Sequence, residues 1–566
     1  MRPGRAGSAA FCWQTLLCGG SIWDAMTRLP VVMALALLLL AGLPMLAVAG
    51  WSLASLLDAA AWAALWDDPQ WFRALGLSLW TGLASTALAW WGAAHLLAHG
   101  FVHRLLDTWL RRLPWMLATP HAAFAIGLVF LLSPSGWLLR AFSPWLTGFM
   151  LPPPWPTTQD PWGLGLILAL VAKEIPFLLW AAATQLQRDD LRRRWRTEHA
   201  LAQTLGYAPL RAWWRVVWPQ LAPRLRWPLL AVLAYGLTVV DMALVIGPAS
   251  PPTLAVLAWQ WLQDADLAVN ARGAAAGGVL ALTVLMAALA VRAMPRRAGT
   301  DGQRGAAPES HTIRHTPAWP LMTGLYLAVL AALAVGSVAG VWGFPALWPE
   351  ALTPEAWLSV WGSRGTVAVT LWLALASSLL ALLWSVAWLE LAPRRWDQAL
   401  RPLLYLPLVL PGVLWVVGLY RGALWAHAEG QWSGLLLAHT VMVLPYALLT
   451  LSPAYLGVDP RLAAVSASLG HGRWRFLWVV KWPLLRRALA ATAAVGFAVS
   501  VAQYLPTLYV GAGRFSSVTT EAVTLAAGAQ RSLTGAYAAL QFLLPVLAFV
   551  LAAWVGRPRR FTVDHP

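Results

Sequence analysis

Two lysines, Lys173 and Lys481, are the only ones in 566 residues, and the first stands beside Glu174 inside an apolar run. Charged side chains facing hydrocarbon cost about 2.5–3.5 kcal/mol each on insertion scales, so Lys173 and Glu174 should face protein or water. Neighbouring residues of a helix point in different directions, so the two need not pair with each other. Asp241, in another apolar run, is a candidate partner for Lys173, and Gln503, Tyr504 and Thr507 carry polar atoms into a later run. Two roles fit this set: fastening helices together, or lining a route for a polar solute. His121 and His439 lie near prolines and suit polar packing; neither has the clustered partners of a metal site, so no metal is expected. No paired carboxylates or activated nucleophile stand at a catalytic spacing, so an enzyme is disfavoured. Neither lysine follows a glycine, so the phosphate-cradling GxxxxGK loop is absent and any ATP hydrolysis must belong to another chain. Cys12 and Cys18 are too few for a disulfide framework.

The elements that must hold these residues are membrane helices. The chain is 59% hydrophobic and 11% charged, with apolar runs of about twenty residues recurring along its length. Twelve crossings are expected, at 31–51, 73–97, 115–136, 163–185, 227–248, 274–292, 320–341, 365–389, 403–424, 433–452, 488–510 and 534–555. The net charge of +17 does not point to nucleic acid, because the arginines fall between the apolar runs and do not gather in one patch. Placing the N-terminus inside puts 32 of the 40 basic residues in cytoplasmic segments, so both termini are expected to be cytoplasmic. Tryptophans near many run ends fit anchoring in interfacial lipid.

The runs are duplicated. Ser78–Thr86 matches Thr370–Ser378 at an offset of 292; further on, Leu205 and Gly206 match Leu469 and Gly470, Trp218 and Pro219 match Trp482 and Pro483, and Gly247 matches Gly511, all at an offset of 264. Both copies start on the same side, so they are related by an axis along the membrane normal. The expected division is a cytoplasmic tail over 1–30, a six-helix unit over 31–292, a linker over 293–317, a second six-helix unit over 318–555 and a tail over 556–566. Between the fourth and fifth crossings of each copy lies an arginine-rich segment with helical spacing, broken at Gly206 in one copy and at Gly470–Gly472 in the other. Each of these glycines stands thirteen residues before a proline, which predicts a left-handed backbone or a close approach at Gly206 and Gly470.

On these residues the chain resembles the permeases of binding-protein-dependent ABC importers, whose signature is Glu-Ala-Ala, three residues, Gly, and a later aliphatic-x-Leu-Pro. The nearest forms are fused two-domain permeases of the thiamine and ferric-iron type, the thiamine type above all. Gly206, Val216 and Pro219 match in the first copy, and Gly470, Val480 and Pro483 in the second. The Glu-Ala-Ala positions hold Ala200, Leu201 and Ala202, then Ala464, Val465 and Ser466, and tryptophan replaces the leucine before each proline. The resemblance implies an all-α type I importer permease fold in tandem, without cofactor. It implies two ATPase subunits docked on the loops that carry Trp213 and Trp474, a periplasmic solute-binding protein, and a small solute such as thiamine. An arginine-rich hairpin lying on anionic lipid would share the loops' composition, and a twelve-helix secondary transporter would also have two parallel halves.

Overall fold

The computed structural model describes residues 15–186, 188–293, 317–528 and 530–557. Among these the chain is helical, with one isolated antiparallel bridge, Ala339 to Leu352. Nine helices among the described residues are long and apolar enough to span a bilayer. They are Val31–Leu57, His121–Phe142, Leu164–Leu186, Leu267–Ala293, Ala318–Val338, Arg364–Leu391, Trp432–Leu456, Arg473–Val501 and Arg531–Val555. A tenth is made by Arg394–Val409 and Gly412–Trp425 if that pair, bent by 103°, counts as one span.

Nine or ten such helices thus stand where twelve crossings are expected, and the departures have local causes. Residues 73–97 lie in one helix, Trp71–Val102, which interleaves Gly, Ser, Thr and Trp with its apolar residues and is not among these nine. Residues 227–248 form two pieces, Arg226–Thr238 and Asp241–Ile246, separated by Val239 in an extended conformation. The expected span at 403–424 breaks at Leu410, immediately before Pro411, because proline disfavours helical geometry in the residue ahead of it. The span at 488–510 breaks between Val501 and Leu505. At the N-terminus, helix begins at Thr15, well inside the tail expected over 1–30; residues 294–316 of the linker and 558–566 of the last tail fall outside the described residues.

The duplication is structural. The hydroxyl of Ser78 accepts from the Leu254 amide at 2.9 Å, and that of Thr370 from the Val518 amide at 2.9 Å. Each bond satisfies a helix-starting N–H, at Leu254–Leu262 and Val518–Ala526, and the pairs are related by the offsets of 292 and 264. The first helix of each half, however, packs on the other half: Thr15–Ala54 lies along Gly412–Trp425, and Ala318–Val338 along His121–Leu132. Gly127 and Gly418 allow this, since a Cβ there would collide with the Val329 backbone oxygen and the Val48 carbonyl. Small residues of this kind let membrane helices approach closely.

Candidate functional site

Each arginine-rich loop folds as a hairpin ahead of a membrane helix. In the first, Asp189–Thr204 ends at Gly206, whose φ is +89°. The Gly206 amide donates to the Gln203 carbonyl at 3.0 Å and the Tyr207 amide to Ala202 at 3.2 Å, the paired bonds of a left-handed helix stop. The second hairpin repeats it: Pro460–Ser468 ends at Gly470 with φ +76°, Gly470 donates to Ala467 at 2.9 Å and His471 to Ser466 at 3.1 Å. A Cβ would meet nothing within 4 Å at either glycine, so the requirement is conformational and leaves the neighbouring surface open.

Past each glycine the helix widens into one π turn, Trp213–Val217 and Leu477–Lys481, again at an offset of 264. Trp218 donates to Trp213 and Trp482 to Leu477, each five residues back, just before Pro219 and Pro483. Widening makes room where a proline ring would press on the carbonyl four residues behind it. Val216 and Val480 are half-buried on these turns. The structural counterpart of Trp213 is Leu477, not Trp474: both Trp213 and Leu477 are buried in the hairpin interior, whereas Trp474 is exposed. Trp213 is thus a core residue and offers no surface to a partner.

The two hairpins are locked by different chemistry. In the first, Trp213 packs on Phe101 with ring centres 4.9 Å apart, His199 Nε2 lies 2.9 Å from the Pro209 carbonyl, and Trp195 donates to Gln220 at 3.1 Å. Glu198 accepts from Gln220 and from Arg194, both at 2.7 Å. Burial pushes its carboxyl up, but these two donors outweigh that and hold it below the usual glutamate range. Glu198 is therefore committed inside the hairpin and does not replace the absent glutamate of the Glu-Ala-Ala positions. In the second hairpin, Glu390 accepts from Lys481 at 2.6 Å, from Arg473 at 3.0 Å and from the Tyr455 hydroxyl at 2.9 Å. Replacing Glu390 by Gln should leave Lys481 half-buried without its charge partner and loosen only the second hairpin. Limited proteolysis of the purified chain should then cut the second hairpin several-fold faster, whereas Arg188→Gln, on an exposed pair, should not change the cleavage of either hairpin. Unchanged cleavage would remove Glu390 from the lock of the second hairpin.

Both hairpins turn apolar side chains to the outside. Leu205 is 72% exposed and Leu469 67%, and Leu201 and Val465, at the Glu-Ala-Ala positions, are exposed one helical turn earlier. Pairs at an offset of 264 thus make two equivalent patches.

The intramembrane residues differ in the contacts they make. Lys173 donates to the carbonyls of Met116 at 3.1 Å and Thr119 at 2.6 Å. Pro120 has no N–H for the Met116 carbonyl four residues behind it, so the ammonium fills a vacancy left by the proline. Lys173 makes no ion pair with Asp241 among the described residues, and that expectation is corrected. Glu174 has His121 Nε2 3.9 Å from its carboxylate, and the His121 and Tyr235 rings meet at a tilt of 51° with centres 4.7 Å apart. Asp241 starts the second piece of the broken fifth helix and is half-buried. Thr507 is fully buried and serves as a staple: His439 bridges Ser500 at 2.8 Å and Thr507 at 3.0 Å, one on each side of the break in its own fifth helix. Gln503 and Tyr504 form that break, Gln503 half-buried and Tyr504 buried. The sequence gives no sign that Tyr235 and Glu390 belong to these sites, because their partners lie far away along the chain. No group of three or more His, Cys, Asp or Glu able to hold a metal occurs among the described residues.

The family described as binding-protein-dependent transport system inner membrane component matches residues 377–558. An inner membrane ABC transporter permease protein of Escherichia coli strain K12 is 37% identical over 510 residues, covering 88% of this chain and 92% of the relative. The chain belongs to this permease family. A thiamine transport system permease protein of Brucella abortus is 30% identical over 237 residues, 37% of this chain and 41% of that relative. A molybdenum transport system permease protein of Mycobacterium bovis is 27% identical over 262 residues, 44% of this chain and 96% of that relative. The permease is a multi-pass inner-membrane transport subunit, not an enzyme, and works with ATPase subunits and a periplasmic solute-binding protein. No single branch of the family stands out beyond that.

Proposed function

We propose that the permease imports thiamine or a related small organic solute by alternating access, with one ATPase subunit seated on the Gly206 hairpin and another on the Gly470 hairpin. The observation that carries this reading is the pair of equivalent exposed patches, Leu201 with Leu205 and Val465 with Leu469, each on a rigid hairpin that feeds a membrane helix. An apolar face seated in a partner's groove transmits rigid-body motion through packed side chains. Thiamine enters through the relatives whose names carry it, at 27–30% identity over part of the chain. In this reading each half crosses the membrane six times. Trp71–Val102 and the broken pair Arg226–Thr238 and Asp241–Ile246 complete the count, and both termini are cytoplasmic because the arginines are.

Replacing Leu205 and Leu469 together by Asp should release the ATPase subunits from the purified complex without lowering the amount of permease in the membrane. ATPase retention at the level of the unaltered chain would count against docking on these patches. In the same membranes, a phosphatase inserted between Trp348 and Pro354 should be active and one fused at Pro566 inactive; the reverse would overturn the orientation.

A further inference from the structure

The first half gathers arginines at the end of a membrane helix, in a cleft of about 380 Å³ counted with its open mouth. Arg104, Arg192, Arg196 and Asp107 supply its charges, and Leu106, Leu110 and Leu186 its apolar wall. Leu186 is the last residue of the membrane helix Leu164–Leu186, and Arg104 lies two residues past the end of Trp71–Val102, which packs along it. Arg192 and Arg196 sit in the first two turns of Asp189–Thr204, no more than about 11 Å along that helix from its start. Leu201 and Leu205 lie further along the same hairpin, so the cleft is separate from the exposed patch they form.

The charges do not cancel. Asp107 accepts from Arg192 at 2.8 Å, which fixes that guanidinium in the cleft. Arg104 and Arg196 make no ion pair among the described residues, so three guanidiniums meet one carboxylate beside an apolar wall. The backbone that holds Arg104 there is strained. Its φ is +58°, and it closes Trp71–Val102 with the Leu105 amide donating to the Gly100 carbonyl at 2.9 Å. Gly206 and Gly470 stop their helices in the same left-handed region without a side chain, whereas an arginine enters it only at a cost. Strain at a position that glycine would fill more easily points to a use for the side chain.

Guanidinium groups match phosphate oxygens with paired, charge-assisted hydrogen bonds, and basic pockets between membrane helices suit lipid headgroups. We propose that this cleft binds the phosphodiester of an anionic phospholipid, with Arg104, Arg192 and Arg196 on its oxygens and Leu106, Leu110 and Leu186 along the start of an acyl chain. A free phosphate would satisfy the arginines but leave the leucines against water. The site belongs to one half only: at the offset of 264, Leu456 and Pro460 stand where Arg192 and Arg196 do. It goes beyond the transport reading and depends on no particular solute.

The test is lipid binding to the purified, delipidated permease with its ATPase subunits, read by native mass spectrometry as the apparent Kd of the first lipid bound. Dioleoylphosphatidylglycerol should bind at least about tenfold more tightly than dioleoylphosphatidylcholine, which has the same chains and phosphate but no net charge. Arg104→Gln with Arg196→Gln should remove most of that preference. Arg394→Gln with Arg395→Gln, the same loss of charge at exposed residues of the second half, should leave it within about twofold. Inorganic phosphate at about tenfold excess should not displace the lipid, because the leucines add only to a ligand with a chain. Equal affinity for the two lipids, a preference that survives in the Arg104 and Arg196 pair, or an equal loss in both double variants would each overturn the proposal. Displacement by phosphate would overturn it too, by assigning the cleft to a free anion. The lipid and phosphate comparisons use the unaltered chain, so they decide even where a variant fails to fold.

Discussion

Replacing Gly206 and Gly470 together by Val is expected to reduce solute uptake at least about tenfold while ATP hydrolysis continues and the permease still reaches the membrane. Each glycine holds a positive φ, +89° and +76°, at the end of the short helix that carries an exposed apolar patch. An ordinary residue pays about 1–2 kcal/mol in the left-handed region, and a β-branched one fits worst there. Because 1.4 kcal/mol is a factor of ten, either hinge alone could shift its hairpin away from the bend that aims Leu205 or Leu469. Nothing lies within 4 Å of a Cβ at either position, so the effect comes from the backbone and not from a clash. That separates two substitutions. Asn tolerates the left-handed region, so Gly206→Asn with Gly470→Asn should retain most of the uptake that the valine pair loses. The measurement is uptake and ATP hydrolysis in reconstituted complexes, normalised to permease content. Full uptake by the valine pair would show that neither glycine sets a coupling geometry.

Lys173→Met is expected to lower the amount of folded permease in the membrane, and more severely than Arg296→Met in the linker. The substitution exposes three groups at once: the Met116 and Thr119 carbonyls lose their donor, and Glu174 loses the ammonium beside it. Removing one partner of a buried ionic arrangement costs about 3–5 kcal/mol, because what remains is an uncompensated buried group. Adding Glu174→Gln removes the stranded charge but leaves the carbonyls open, so the double variant should recover part of the loss. Detergent-resistant, correctly sized permease after a thermal challenge is the readout. Equal abundance of Lys173→Met and Arg296→Met would reject a structural role for the lysine, and no recovery in the double variant would place the whole cost on the Pro120 break.

By itself the sequence determined the local matters. Apolar runs of about twenty residues announced membrane helices, because each such helix satisfies its own backbone and meets lipid with its own side chains. The 292 and 264 offsets announced the duplication, and the spacing of Gly206 to Pro219 and of Gly470 to Pro483 located the hairpins, because a left-handed helix stop and a proline are properties of single positions. Val239 gave no such local sign, so the fifth helix read as continuous when it is broken ahead of Asp241. Everything depending on contact between distant parts waited for the tertiary structure. It turned Lys173 from a candidate partner of Asp241 into the donor for carbonyls freed by Pro120, and made Thr507 a staple for His439. It buried Trp213 while leaving Trp474 exposed, though both are tryptophans in matching loops. It sent the first helix of each half to pack on the other half, through Gly127 and Gly418. Periodicity records that a face is buried, but not against what; partners some 50 to 350 residues away are chosen by the packing of whole helices, which leaves no local pattern in the chain.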